Sequence, residues 1–231
     1  MGAEESEPQG DPRAWARQLA GEHAAGGRPD GWFETFYAES ERRGSEVFWA
    51  DRVPNPNLVP RWERHAAAFG ERPRVLVVGA GFGDDAAWLA DRGARVTAFD
   101  ISPHAVARSV ERFPDAGVQW FAGDLFRLPF APGAHFDCVF ETYTLQVFRP
   151  GRREAALVPL RDRVRPGGEL WVIARGREPQ DPEGQLPWPL LRVELEPLAR
   201  LGMRELSFED YFDDEEPPQR RFVARYRREG D

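Results

Sequence analysis

From Arg74 onward, short apolar runs alternate with helical patterns at the rhythm of a parallel sheet, and this spacing limits the fold more than any single motif. Strands are expected at 74–79, 95–100, 117–121, 135–141 and 169–175, with helices near 84–92, 103–113 and 152–164 between them. The fifth run, "RPGGELWVIA", is marked by a Pro-Gly-Gly turn followed by alternating bulk. Beyond it lie the loop "RGREPQDPEGQLPWP", a helix near 190–201, and two strand-like runs, 203–209 and 220–227, joined by "DYFDDEEPP". Two strands linked by a short acidic turn predict an antiparallel hairpin at the end of the sheet. The whole reads as an α/β fold with a doubly wound, mostly parallel, seven-stranded sheet. The acidic run reads as a solvated turn rather than a metal site, and no metal is expected.

Upstream the pattern changes. Residues 1–30 are polar and rich in Gly and Pro, with "AWARQLA" able to form a short helix, and predict a mobile N-terminal arm. Residues 31–70 predict a helical cap: Trp32, Phe33, Phe36 and Tyr37 share one helical face, either as core or as an aromatic lid over a ligand. Then "VPNPNLVPRWERHAAAFG" gives an irregular proline segment leading into a helix, with Pro60 tolerated in its first turn. Residues 71–231 carry the sheet.

Charge and composition exclude some partners. The formal net charge is -8, from 39 acidic and 31 basic residues among 231, so no general field draws the chain to nucleic acid or anionic lipid. No apolar run reaches the roughly 18 residues of a membrane span, and the first thirty residues do not resemble a signal peptide. The single cysteine, Cys138, falls in an expected core strand, where it acts as a small hydrophobe. A cytoplasmic protein is expected, as monomer or homodimer, with neither nucleic acid nor membrane as partner. The absence of lysine beside abundant Ala, Gly and Pro suggests G+C-rich coding and a bacterial host.

In "RVLVVGAGFGDDAAWLADRGARVTAFD" the first strand ends at Gly79, Ala80, Gly81 and Gly83, a turn that puts bare backbone at the carboxyl edge of the sheet. A dinucleotide loop, G-x-G-x-x-G, would place its last glycine where Asp84 stands, and a carboxylate there would face a pyrophosphate with like charge. The loop therefore favours a ligand without phosphates and disfavours a dehydrogenase. Asp100, followed by Ile101, ends the second strand, where a carboxylate can accept both hydroxyls of a ribose; Ser102 is the better N-cap for the next helix. In "AGDLFRLPF", Asp124 can accept from an adenine amino group while Leu125 packs on its face, or Asp124 can form a turn. A phosphate-free glycine loop, a ribose carboxylate and an adenine carboxylate, in this order, describe S-adenosylmethionine.

These segments resemble class I S-adenosylmethionine-dependent methyltransferases over residues 74–228: "VLVVGAGFGDD", "VTAFDIS", "AGDLFRLP", "FDCVFETYTLQVF" and "VRPGGELWVI" match their successive motifs. The resemblance implies a Rossmann-like fold, with S-adenosyl-L-methionine as cofactor and S-adenosyl-L-homocysteine as product. Further details resemble the thiopurine S-methyltransferase-like branch: Trp49, Pro54, Pro56 and Leu58 before the first strand, Asp85 after the third glycine, Glu141 and Leu145 at the fourth-strand exit, and "EGQLPWP" in the late loop. One departure is Val77, which stands where many class I enzymes carry an acid; Asp85, Glu141 or backbone carbonyls would have to take the methionine amino group.

The expected activity is methyl transfer to S, N or O of a small aromatic or apolar molecule, sulfur being favoured by the branch resemblance. The alternatives are a macromolecule-directed enzyme, disfavoured by the acidic balance, and a non-catalytic cofactor-binding module. Acceptor contacts are expected from Trp32, Tyr37, Tyr143, Gln146, Arg175 and Trp188, with Tyr143 and Glu141 as positioning candidates. His23, His104 and His135 offer no persuasive general base.

Overall fold

The computed structural model describes residues 11–128 and 133–230; residues 1–10 of the expected arm lie outside the described residues. Strands β1 (Arg74–Val78), β2 (Arg95–Asp100), β3 (Gln119–Ala122), β4 (Phe136–Thr142), β5 (Val164–Arg175), β6 (Met203–Phe212) and β7 (Arg220–Arg228) form one sheet in the order β3-β2-β1-β4-β5-β7-β6. The first five are parallel, while β7 runs antiparallel to both β5 and β6. The chain winds outward from β1 in one direction through β2 and β3, and in the other from β4 to β5. The crevice at such a reversal opens over the carboxyl ends of β1 and β4.

Helices α1 (Pro12–Ala25), α2 (Trp32–Arg42), α3 (Val59–His65), α4 (Asp84–Asp91), α5 (Pro103–Arg112), α6 (Pro150–Arg163) and α7 (Pro197–Arg200) complete the fold. Strand alternation divides the core into two faces. Leu76, Val78, Val139, Leu170 and Val172 pack with Leu157 and Leu160 of α6, whereas Val75, Val77, Phe140, Trp171 and Ile173 pack with Trp62 of α3 and Leu89 of α4.

Three expectations change. The stretch read as an arm carries α1, started by Asp11, whose side chain accepts from the Arg13 N–H. Ala16 and Leu19 are buried and Trp15 lies on Phe36 of α2 at a centroid distance of 4.6 Å. A helix this weakly amphipathic owes its order to the aromatic face it meets. Strand β5 begins at Val164, not 169, because the Pro-Gly-Gly segment bulges without leaving the sheet: Val164 pairs with Phe136 and Glu169 with Cys138. Asp137 holds that bulge through Arg165 at 2.5 Å. The helix expected near 190–201 is a 3-10 turn, Arg192–Leu195, followed by the single turn α7; Pro197 lacks the N–H that a continuous helix would use.

Candidate active site

The turn from β1 into α4 adopts positive φ at Gly79 (62°), Gly81 (53°) and Gly83 (87°). A Cβ at Gly79 would collide with Thr144, and one at Gly83 with Trp120 and Ser109, so packing excludes side chains at both positions. The missing Gly83 side chain thus makes room for Trp120 and Ser109, and the cleft is lined by its neighbours Phe82 and Asp84. Gly81 faces the opening, where the nearest atom to a hypothetical Cβ is the Tyr37 hydroxyl at 3.3 Å. Helix α5 grips the loop from outside: Ser109 donates to the Gly81 carbonyl at 3.0 Å and Arg112 to the Phe82 carbonyl at 2.7 Å. Arg112 also forks onto both oxygens of Asp84 at 2.7 Å. That pairing corrects the picture of Asp84 as a free charge opposing phosphate, since its charge is matched within the protein.

Asp100 ends β2 almost buried, with Oδ2 accepting from Gly81 N–H at 2.8 Å and Oδ1 from Ser102 N–H at 2.9 Å. Burial pushes its carboxyl above the usual value despite these bonds. Ser102 caps α5 as expected and donates to Glu34 of α2 at 2.5 Å, which ties the aromatic cap to the tip of β2. Asp124 makes the turn weighed for it, accepting from Phe126 N–H at 2.9 Å, and lines the cleft with Leu125 and Ile101. Asp85 accepts from Asn55 N–H at 2.7 Å, and burial raises its carboxyl to about 6.

The opposite wall is the cap. Trp49 stacks on Phe36 at 4.7 Å and donates its indole N–H to the Tyr37 hydroxyl at 2.9 Å. Tyr37 is pushed well above the ordinary phenol range, first by burial and then by the Asp100 carboxylate, so it stays a neutral hydroxyl. Trp32, stacked on Phe33 at 3.9 Å, lies beside them. The aromatic stripe is therefore core, one face packing on α1 and Trp49, while Trp32, Phe33 and Tyr37 border the cleft.

At the exit of β4, Tyr143 has a φ of 60° and receives a hydrogen bond from Asn57 Nδ2 at 3.2 Å. Gln146 accepts from Arg175 N–H at 2.9 Å, fixing the end of β5. Both residues and Arg175 line the cleft. Glu141 does not. The alternation that turns Val139 towards α6 turns Glu141 the same way; its Oε2 accepts from Thr144 N–H at 2.8 Å and Leu145 N–H at 3.2 Å, and Oε1 has no partner among the described residues. Burial raises its carboxyl to about 8. Trp188 also misses the main cleft and lies in an adjoining recess of about 340 Å³, its N–H bonded to the Gln146 carbonyl at 2.8 Å.

The cleft itself measures about 630 Å³, running from Asp124 and Asp100 across the glycine loop to Tyr143 and Arg175. This is the range of small-molecule sites. Sequence reasoning missed several of its residues. Asn55 and Asn57 link α4, β4 and the hairpin through Asp85, Tyr143 and the Tyr211 hydroxyl. Arg13 reaches the cleft from α1, and Arg221 enters from β7 bound to Asp213 and Glu215, so the acidic turn, solvated over residues 214–218, also supplies counterions to Arg221. The "PNPN" turn chemistry was the one available signal; the others depend on tertiary contacts.

Residues 75–168 match the family profile described as a methyltransferase domain. The matched segment runs from β1 into β5. The chain is 36% identical over 156 residues to a demethylmenaquinone methyltransferase of Beutenbergia cavernae, covering 66% of this chain and 63% of that protein. It is 28% identical over 161 residues to a probable thiol methyltransferase 2 of Arabidopsis thaliana, covering 68% and 64%. The matched region thus spans a little under two thirds of either relative. Among solved structures, a Burkholderia thailandensis 1,6-didemethyltoxoflavin-N1-methyltransferase with bound 1,6-didemethyltoxoflavin and S-adenosylhomocysteine superposes with a TM-score of 0.67 at 20% identity, covering 97% of this chain and 93% of that one. The Rossmann-like methyltransferase fold extends over nearly the whole molecule.

The floor of the cleft is acidic. Asp85, Asp100 and Asp124 present carboxylates along the cleft, a poor setting for phosphate and a good one for hydroxyls, amines and a sulfonium cation. Among the described residues no His, Cys, Asp and Glu group has the arrangement of a metal site, and no helix is long and apolar enough to cross a membrane.

Proposed function

We propose that the protein is an S-adenosylmethionine-dependent methyltransferase that methylates a heteroatom, S, N or O, of a small aromatic or apolar molecule. The observation that carries this reading is the junction of Gly81 and Asp100: a loop face without side chains, locked by its N–H to a buried carboxylate, inside a cleft that continues past the cofactor region to an aromatic and polar end. S-adenosylmethionine supplies an electrophilic methyl group on sulfur. Asp100 accepts the ribose hydroxyls with the lone pairs left free by Gly81 and Ser102. Asp124 and Leu125 take the adenine. Asp85 takes the methionine amino group in place of the acid missing at Val77, since Glu141 is turned away.

The chain's remaining task is alignment and exclusion of water. Tyr37, Trp49 and Trp32 close the cleft from above, and Tyr143, held by Asn57, sets the far wall. Among the described residues, no histidine lines the cleft beside Tyr143 as a general base, which favours a nucleophile that reacts as its own anion. Sulfur fits that requirement, and the similarity to a thiol methyltransferase supports a place near the thiopurine S-methyltransferase-like branch. The reading keeps a cytoplasmic protein, monomer or homodimer, without nucleic acid as substrate.

The test is release of S-adenosylhomocysteine when purified protein meets S-adenosylmethionine and a panel of aromatic thiols, nitrogen heterocycles, phenols and aliphatic thiols. Turnover of one nucleophile class is the expected result. Cofactor binding with no turnover across the panel would reject the small-molecule assignment in favour of a binding module.

A further inference from the structure

Strands β5 and β7 put Arg175 directly opposite Arg221, two like charges on one face of an antiparallel pair. Directly opposed like charges destabilise a sheet unless something neutralises them. Arg221 is neutralised: Asp213 receives its Nε at 2.5 Å, Glu215 receives its Nη2, and its side chain is only 4% exposed. Arg175 is not. Its main chain is fully used, N–H to Gln146 and carbonyl from Leu190, but its guanidinium has no ion pair or hydrogen bond among the described residues. A third arginine, Arg13 of α1, lines the same end of the cleft with its guanidinium 5.0 Å from the Phe48 ring centroid.

Arg221 is already paired, and Glu215, the acid whose charge favours the Arg175 cation, is itself hydrogen-bonded to Arg221, so the half-buried Arg175 guanidinium keeps its donors free for an anion. We infer that the acceptor end of the cleft is a carboxylate subsite, with Arg175 as its principal ligand and Arg13 as a second donor, and that the acceptor is an aromatic acid. The planar fork of Arg175 matches a carboxylate, while Tyr143 and the cap aromatics hold the ring. Position separates this subsite from the cofactor region. Strand β4 lies between β1 and β5, so Arg175 starts about 10 Å across the sheet from the glycine turn, taking about 4.8 Å per strand. Asp100 and Asp124 lie on the other side of that turn. The cleft is thus acidic where a cationic cofactor would lie and basic where the acceptor would lie. The inference rests on the methyltransferase reading for the meaning of the two ends, though not for the anion site.

The experiment is calorimetric titration of the full chain, alone and saturated with S-adenosylhomocysteine, with benzoic, para-methylthiobenzoic and indole-carboxylic acids, each beside its neutral amide. At least one acid should bind about tenfold or more tightly than its amide, the size of effect expected of a charge-assisted hydrogen bond. Arg175→Gln should erase that preference and leave the S-adenosylhomocysteine dissociation constant unchanged; Arg13→Gln should reduce it in part. Equal affinity for every acid and amide, or a preference that survives Arg175→Gln, would overturn the inference. So would a variant that loses S-adenosylhomocysteine affinity but keeps the acid preference, because Arg175 would then serve the cofactor's own carboxylate. An acid preference in a chain that binds no S-adenosylhomocysteine would support the carboxylate subsite and sink the methyltransferase reading instead.

Discussion

Glu141 offers the sharpest physical test, because a buried carboxyl without a cation partner must write its own pH dependence into stability. Its side chain is fully buried, two backbone N–H groups bond one oxygen, and burial lifts it from the usual 4.5 to about 8. Below about pH 4.5 the group is protonated in both the folded and unfolded chains and contributes nothing. Between about 4.5 and about 8 the folded chain keeps the proton and the unfolded chain releases it, so stability falls as pH rises, by up to about 1.4 kcal/mol per unit. Above about pH 8 the full penalty, about 5 kcal/mol, stays in place. Glu141→Gln keeps an oxygen for the Thr144 and Leu145 N–H groups and cannot ionise. Urea unfolding of both proteins at a series of pH values isolates the group from every other carboxyl. The stability of the variant relative to the parent should rise by about 3.5 kcal/mol between about pH 5 and about pH 8. Parallel curves, offset by a constant, would refute the assignment of a buried protonated acid under the β4 exit.

Three other outcomes are expected. Asp100→Ala should weaken S-adenosylhomocysteine binding by about 1–3 kcal/mol in calorimetry, since it also releases the Gly81 and Ser102 N–H groups that shape the loop; an unchanged dissociation constant would remove Asp100 from the site. Gly83→Ala should cost more than about 1 kcal/mol of unfolding free energy, because the new Cβ meets Trp120 and Ser109 at a positive φ, whereas Gly93→Ala, with open space around it, should carry only the φ strain. Deleting residues 1–25 should lower the melting temperature and loosen cofactor binding, as the Phe36 face loses Trp15, Ala16 and Leu19; thermal scans with and without S-adenosylhomocysteine that match the full chain would show α1 to be dispensable.

What the sequence determined by itself was local and periodic. The apolar runs at 75–78 and 170–174, the three glycines, and Ser102 ahead of "PHAVARSV" specify strand, turn and capped helix through near neighbours, so the doubly wound order and the Gly81–Asp100 end of the cleft were legible. The tertiary structure decided what depends on distant partners. Helix α1 exists because Phe36 receives it, Asp84 is neutral in effect because Arg112 arrives from α5, and Glu141 points inward because sheet alternation outweighs its charge. Most of all, Arg175 faces Arg221 only through the register of β5 on β7, a pairing between residues 46 positions apart that no local pattern encodes. Short-range sterics can be read along a chain. Charge balance in a cleft belongs to the fold, because the Coulomb energy depends on separation in space and on burial, and neither is a property of the chain order.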